Sequence, residues 1–149
     1  EFKITHRHLP HWTIDGSTYF VTFRCKKELS PNERIIVFEH ILSGHKQYYL
    51  LIAFVVMPDH VHLLFHPNEK YKLERIMKGI KGVTARKINA ASGHQGEFWQ
   101  HESYDHIIRN GKELKQKFDY IMNNPMNAGT TDEHALYQWL YWNEEIILP

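Results

Sequence analysis

A run of ten mostly apolar residues, YYLLIAFVVM, occupies Tyr48–Met57. It has no polar alternation and no charge, and its length suits a strand rather than a helix. A run of this kind predicts a strand that is buried in the core. Pro58-Asp59 then forms a turn, and His60–His66 is predicted to return as the antiparallel neighbour of the buried strand.

The segments around this strand pair alternate between strand and helix. Thr18–Cys25 is rich in aromatic and β-branched residues, which favours a strand. Ser30 can cap a helix whose first turn holds Pro31 and Glu33, and Gly44 is expected to end it. The other predicted elements are helices over residues 71–91 and 112–124, the second ending before Pro125, and an extended segment over residues 98–109.

The order β-α-β-β-α-β-α predicts the α+β class. We expect a ferredoxin-like antiparallel sheet with its helices on one face and the other face open. A length of 149 residues suits a single domain. Residues 1–18 are expected to form an irregular N-terminal arm, and residues 130–149 a C-terminal tail that packs back through its aromatic side chains.

Composition excludes several classes of protein. No apolar stretch approaches the roughly 20 residues that span a bilayer, and no secretory leader is evident, so no membrane partner is expected. The single cysteine, Cys25, excludes an internal disulfide and a multi-cysteine zinc site. We therefore expect a cytoplasmic protein. The net charge of +1 gives no global indication of nucleic-acid binding.

Two histidines begin the predicted second strand of the pair. Alternate side chains of a strand point to the same face, so His60 and His62 project together. The apolar residues of the other face are expected to meet the helices: Val61, Leu63 and Phe65. Neutral imidazole is a common ligand for divalent metals, and a metal site would need at least one further ligand. The alternative is that His60 caps the turn and His62 is simply exposed.

The last predicted helix carries polar side chains beside its core stripe. Tyr120 and Asn124 lie one turn apart on the same flank, with Lys117 next to them. An exposed tyrosine is common on a helix flank, and an asparagine before Pro125 suits a helix end. Together with the histidines, however, an asparagine oxygen could complete a site for Mg²⁺ or Mn²⁺. Tyr120 could then act as a nucleophile.

These motifs resemble those of a known family. His60-Val61-His62 resembles the HUH motif of the single-tyrosine HUH nucleases, and YIMNNP at Tyr120–Pro125 resembles their nucleophile helix. A longer ordered set, covering about residues 7–143, is similar to the REP-associated tyrosine transposases of the insertion-sequence-200-like superfamily. Its members are LPHW (Leu9–Trp12), YFVTFR (Tyr19–Arg24), VVMPDHVHLL (Val55–Leu64), FWQ (Phe98–Gln100), YDHIIR (Tyr104–Arg109) and YIMNNPMNAG (Tyr120–Gly129).

The resemblance implies a bacterial, nucleoid-associated DNA transposase. It implies that His60, His62 and Asn124 hold Mg²⁺ or Mn²⁺, and that Tyr120 cleaves and rejoins single-stranded DNA through a 5′-phosphotyrosine intermediate. The DNA partner would carry an imperfect, REP-like hairpin, and the protein would be a monomer or a homodimer. The third ligand is a glutamine in insertion-sequence relatives, whereas an asparagine fits the REP-associated branch. Tyr104 is a rival nucleophile, but it has no amide four residues later.

Two basic segments are candidates for DNA contacts. Residues 70–87 carry a net charge of +6, and on this helix Arg75, Lys78 and Lys81 are predicted to contact phosphates. Lys117 is a further candidate beside Tyr120. In the N-terminal arm the candidates are Arg7, His11 and Trp12, since an aromatic ring beside basic groups suits stacking on an unpaired base. The alternatives are a solvated helix face and a disordered leader.

Two other classes of function remain open at this point. A ferredoxin-like sheet can be a non-catalytic nucleic-acid-binding module, which stacks bases on aromatic side chains and needs no metal. The same histidines could also serve a metal-dependent phosphodiester hydrolase that uses activated water. A covalent DNA–protein adduct would distinguish the transesterase from both.

Overall fold

The computed structural model describes residues 5–6, 17–129 and 137–148. The helices are α1 (Pro31–Ser43), α2 (Leu73–Ser92) and α3 (Gly111–Asn127). The strands are β1 (Thr5–His6), β2 (Tyr19–Cys25), β3 (Tyr49–Val56), β4 (His60–Pro67), β5 (Trp99–Ile107), β6 (Leu140–Trp142) and β7 (Ile146–Ile147). Among the described residues, no helix has the length and apolar character needed to cross a bilayer.

The main sheet has five strands in the order β5-β2-β4-β3-β6, and every neighbouring pair is antiparallel. The units β2-α1-β3-β4-α2-β5 follow the βαββαβ order of ferredoxin-like folds. The predicted α+β class and ferredoxin-like sheet are therefore confirmed. The tail adds β6 to the sheet beyond β3, and β7 pairs with β1 as a separate two-stranded ribbon.

The strand predicted from the apolar run is the most enclosed element of the structure. All of β3 is buried, and it lies between β4 and β6. Helices α1 and α2 cover one face of the sheet. The Tyr49 hydroxyl donates to the Ile41 carbonyl of α1, and the Trp99 indole N–H donates to Thr84 Oγ1 of α2 at 2.9 Å. Helix α1 begins as predicted, with a capping box between Ser30 and Glu33.

Helix α3 departs from the predicted arrangement, because it lies on the face of the sheet that the sequence predicts to be open. The Tyr120 ring of α3 contacts the ring of His62, and the stripe formed by Leu114 and Ile121 is fully buried. The physical reason is that this face also carries apolar side chains, such as the fully buried Leu64. These need a cover, and the stripe of α3 supplies it.

The end of α3 also differs from the prediction. The helix was expected to stop before Pro125, but it continues to Asn127 with Pro125 inside and buried. Proline removes one backbone donor and crowds the preceding turn. Here it lies in the last turn, and the N–H of Ala128 donates to the Asn124 carbonyl at 2.9 Å. Asn124 therefore stays in helical register with Tyr120.

The single cysteine gives a test of the packing. Cys25 is 5% exposed, and burial, aided by the carboxylates of Asp59 and Glu33, raises the pKa of its thiol to about 12. Because the thiolate is the reactive form, we expect folded protein at about pH 8 to leave a disulfide reagent such as DTNB unreacted over the time in which unfolded protein reacts completely. Reaction of the folded protein at the rate of a free thiol would contradict this packing.

Candidate functional site

The two histidines of β4 are each anchored through Nδ1. The Nδ1 of His60 lies 2.6 Å from an oxygen of Asp59. The Nδ1 of His62 lies 2.7 Å from Oγ1 of Thr22, its direct partner on β2. The two imidazole rings are 4.7 Å apart between centroids. His62 is only 4% exposed, so the alternative that it is a simple surface histidine is wrong.

Among the described residues, two polar atoms of the predicted ligands are buried without a hydrogen-bond partner: Nε2 of His62 on β4 and Oδ1 of Asn124 on α3. An unsatisfied buried polar atom costs about 1–3 kcal/mol, so each such atom requires an explanation. Both carry lone pairs of the kind that a divalent cation accepts. The unpaired atoms therefore fit the implied metal site, whose ligands would be the two imidazoles and the Asn124 amide.

A complete set of metal ligands depends on the Asn124 amide. Within the described ranges, no group of three or more His, Cys, Asp and Glu side chains is arranged to hold a metal ion. His60 and His62 would supply two nitrogen ligands, and the third ligand must come from another residue type. Asn124 is one helical turn from Tyr120, on the helix that covers the histidine face.

Tyr120 reaches the histidines from α3. Its ring centroid is 5.1 Å from that of His62 and 6.1 Å from that of Phe20. Nearly half of its side chain, 49%, is exposed. The tyrosine therefore combines contact with a candidate ligand and access from solvent, as a nucleophile requires.

Tyr104 lies in the same cleft but farther from the histidines. It pairs with Thr22 across the β5–β2 ladder, and Thr22 pairs with His62 across the β2–β4 ladder. Two strand spacings amount to about 10 Å. Its ring is 6.5 Å from that of Phe20 and 56% exposed. The geometry thus supports Tyr120 over Tyr104.

These residues line an open cleft of about 710 Å³. Two cations border it: Arg24, which pairs with His60 across the β2–β4 ladder, and Lys117, whose ammonium is 5.0 Å from the centroid of Phe20. The full lining is Phe20, Thr22, Arg24, His62, Gln100, Glu102, Ser103, Tyr104, Lys117 and Tyr120.

Several of these lining residues were missed from the sequence: Phe20, Thr22, Arg24, Gln100, Glu102 and Ser103. Strand alternation could have placed the β2 residues on one face, since even-numbered positions there share it. The sequence predicted β3 as one neighbour of β4, but it did not predict that β2 is the other.

The cleft is electrostatically unusual at His62. Burial is the main cause that lowers the pKa of His62 to about 3. The neighbouring groups of His60, Arg24 and Lys117 act in the same direction. The imidazole of His62 is therefore neutral at physiological pH, and one ring nitrogen keeps its lone pair.

The residues predicted to contact DNA lie on both sides of the sheet. Lys117 lies in the cleft, whereas Arg75 and Lys78 are exposed on α2, which covers the opposite face. The Lys81 ammonium donates to the carbonyls of Gln100 and His101 at 2.8 and 3.3 Å, and burial lowers its pKa. Lys81 thus links α2 to β5 through hydrogen bonds. A contact between Lys81 and DNA stays a prediction.

The N-terminal candidates for DNA contacts, Arg7, His11 and Trp12, lie outside the described residues.

Comparisons with known proteins agree with the motifs. The family described as Transposase IS200 like matches residues 26–124. A candidate REP-associated tyrosine transposase of Haemophilus influenzae is 26% identical over 100 residues, which cover 60% of this chain and 56% of that protein. The REP-associated tyrosine transposase of Escherichia coli K12 is 26% identical over 121 residues, which cover 78% of this chain and 70% of that protein. The chain thus spans little more than half the length of the H. influenzae relative.

Solved structures show the same fold. The structure of a REP-associated tyrosine transposase bound to a REP hairpin matches with a TM-score of 0.69 and 23% identity, covering 87% of this chain and 78% of that one. A crystal structure of a candidate transposase from Deinococcus radiodurans R1 matches with a TM-score of 0.52 and 22% identity, covering 73% of this chain and 92% of that one. The resemblance inferred from the motifs is confirmed.

Buried His62 should make the metal-free protein sensitive to acid. Its pKa of about 3 in the folded chain is below the value near 6.5 of an unfolded histidine, so the unfolded state takes up the proton first as pH falls. The stability that depends on neutral His62 is complete above about pH 6.5 and is lost progressively toward about pH 3.

Between about pH 7 and about pH 5, we expect the free energy of unfolding of the wild type to fall by about 2 kcal/mol more than that of His62→Gln. Urea denaturation at the two pH values measures this difference. Equal losses in the two proteins would show that His62 takes up its proton in the folded state as easily as in the unfolded one.

Proposed function

Since this chain belongs to the IS200-like transposase family, we propose that it is a metal-dependent transesterase that cleaves and rejoins single-stranded DNA beside a hairpin. The observation that carries the proposal is the meeting of two elements in one cleft. The Tyr120 ring of α3 lies 5.1 Å from the His62 ring of β4. Ligand atoms of both elements, Nε2 of His62 and Oδ1 of Asn124, are buried and unpaired.

His60, His62 and Asn124 would hold Mg²⁺ or Mn²⁺. When bound, the ion would draw charge from a non-bridging oxygen of the scissile phosphate and make phosphorus more electrophilic. The protein keeps the histidines in the required form through their outer partners. A ligand nitrogen at Nε2 places the ring proton on Nδ1, where Thr22 Oγ1 and the Asp59 carboxylate are positioned to accept it.

Tyr120 would supply the attacking oxygen. Its hydroxyl would lose a proton to solvent and form a bond to phosphorus, while the bond to the 3′ oxygen breaks and that oxygen takes up a proton from solvent to leave as a 3′-hydroxyl. The 5′ end of the DNA would then be a phosphotyrosine ester. Lys117, three residues earlier on the same helix, would offset the negative charge on the attacking oxygen. Because one phosphodiester is exchanged for another ester of similar energy, a free 3′-hydroxyl can reverse the step without a nucleotide cofactor.

The DNA partner follows from the family. The structural relative is described as bound to a REP hairpin, and we propose that this chain also binds a hairpin-bearing strand. The cleft would take the unpaired segment, since Arg24 and Lys117 can contact its phosphates. Arg75 and Lys78 on α2 remain our candidates for phosphate contacts outside the cleft.

Metal binding should depend on the unpaired atoms. We expect His62→Ala and Asn124→Ala each to weaken Mn²⁺ binding at least about tenfold, since each removes a ligand from a three-residue donor set. Asn123→Ala is the matched control, because Asn123 is the exposed neighbour on the same helix. Isothermal titration calorimetry with the metal-free protein provides the measurement. Affinities unchanged in both ligand variants would remove the metal site from the proposal.

The nucleophile is tested by a covalent adduct. Single-stranded hairpin DNA with a labelled 3′ end is incubated with protein and Mn²⁺ and then separated on a denaturing gel. We expect label on the wild type and on Tyr104→Phe, and none on Tyr120→Phe, because only Tyr120 would bond to the new 5′ end.

Three other results would overturn the assignment in different ways. Loss of the adduct in Tyr104→Phe alone would make Tyr104 the nucleophile. Cleavage without an adduct that survives Tyr120→Phe would indicate a hydrolase that uses water. Binding with neither cleavage nor adduct in the wild type would indicate a binding module.

A further inference from the structure

One wall of the cleft carries a group that the proposed chemistry does not use. Glu102 on β5 lines the cleft and is exposed. Within the part of the chain that the structure describes, no hydrogen bond or ion pair of its carboxylate is found. Arg24 of β2 lines the same cleft, and among the described residues it forms no ion pair with Glu102. An unpaired carboxylate therefore faces the space that is to receive DNA.

The position of the Glu102 carboxylate is unfavourable for binding a phosphate group of the DNA. Two like charges repel each other, and they do so more strongly where water is partly displaced. A carboxylate also accepts hydrogen bonds and donates none. The DNA group that suits Glu102 is therefore a donor, and the donors of an unpaired strand lie on its bases rather than on its backbone.

Tyr104 supplies the second half of a base site. Glu102 and Tyr104 are two residues apart on one strand, so their side chains project to the same side, about 7 Å apart along it. The Tyr104 ring is 56% exposed and lies almost parallel to the ring of His106, at 3°. Stacking on an exposed ring favours binding of any base and does not distinguish the bases.

We propose that Tyr104 and Glu102 form a base-recognition subsite for one unpaired nucleotide in the cleft. The base stacks on Tyr104, and its exocyclic amino group donates to the Glu102 carboxylate. Its phosphates lie toward Arg24 and Lys117, on the side of the candidate metal ligands. This inference rests on the proposed function, because it assigns the sequence preference of the same cleft.

The subsite predicts which bases are accepted. Cytosine, adenine and guanine carry an amino group, whereas thymine offers one imide N–H between two carbonyl oxygens that the carboxylate repels. The subsite should therefore discriminate against thymine at one position. A hydrogen bond to a charged group, as here, corresponds to roughly tenfold or more in selectivity.

The test uses a hairpin oligonucleotide with a randomised single-stranded flank. Protein–DNA adducts formed with Mn²⁺ are isolated and their DNA is sequenced. We expect thymine to be depleted at least about tenfold at one position with the wild type. In Glu102→Gln the depletion should fall below about threefold, because an amide can donate to the thymine carbonyls. Glu39→Gln is the matched control: Glu39 is an exposed glutamate on α1, behind the sheet, and this variant should keep the wild-type bias.

A binding measurement separates this inference from the chemistry. Tyr120→Phe, which would form no adduct, is titrated with hairpins whose flanks are oligo-dC or oligo-dT, and fluorescence anisotropy is recorded. We expect tighter binding of the oligo-dC flank, and loss of that preference when Glu102→Gln is added. Equal binding of both flanks by Tyr120→Phe, or an unchanged bias in the adducts of Glu102→Gln, would overturn the subsite. Discriminating binding with no adduct from the wild type would overturn the transesterase instead.

Discussion

The pairing of β2 with β4 is the constraint on which the cleft depends. It sets Thr22 opposite His62 and brings Thr22 Oγ1 to 2.7 Å from the imidazole Nδ1. One ring nitrogen is thereby occupied within the protein, and the other is left buried and unpaired. A slip of one residue in this ladder would turn Val61 toward the cleft and His62 toward the core beneath α1 and α2.

Helix α3 covers the second face of the sheet, and the packing that stabilises the fold there also positions the candidate site. Helix α3 buries Leu114 and Ile121. The same helix brings Tyr120 to His62 and carries Asn124 one turn further along. The packing of α3 against the sheet therefore positions both the candidate nucleophile and the amide, without a separate loop. The unpaired atoms of His62 and Asn124 oppose stability, as is common where a fold retains a ligand site. The buried apolar stripe on the same helix is what allows the structure to tolerate them.

Local sequence patterns predicted the helices and strands well. They predicted the arrangement of segments that are distant in the sequence less well. The apolar run over Tyr48–Met57, the capping box at Ser30 and the alternation around His60 each depend on neighbours in sequence, and the structure has all three. Strand order and the side on which α3 packs depend on contacts between distant segments. This is why the open face was predicted wrongly.

The same distinction applies to the site. The family resemblance and the spacing in the sequence together predicted that His60, His62 and Tyr120 lie close to one another. In the structure they do. Arg24 and Glu102 were missed because they enter the cleft only through the strand order of the sheet, in which β2 lies beside β4 and β5 lies beside β2. The helix end at Pro125 was misjudged because burial of the proline outweighs its local cost. For Arg7, His11 and Trp12 the sequence remains the source of the prediction.

The most direct measurement is anomalous diffraction from crystals soaked in Mn²⁺. The account predicts one strong peak within coordination distance of Nε2 of both histidines and of Oδ1 of Asn124, beside the Tyr120 ring. A peak elsewhere on the surface, with a water molecule bridging Nε2 of His62 and Oδ1 of Asn124, would contradict it. The two unpaired atoms would then be satisfied by solvent, and the cleft would lack the cation on which the chemistry depends.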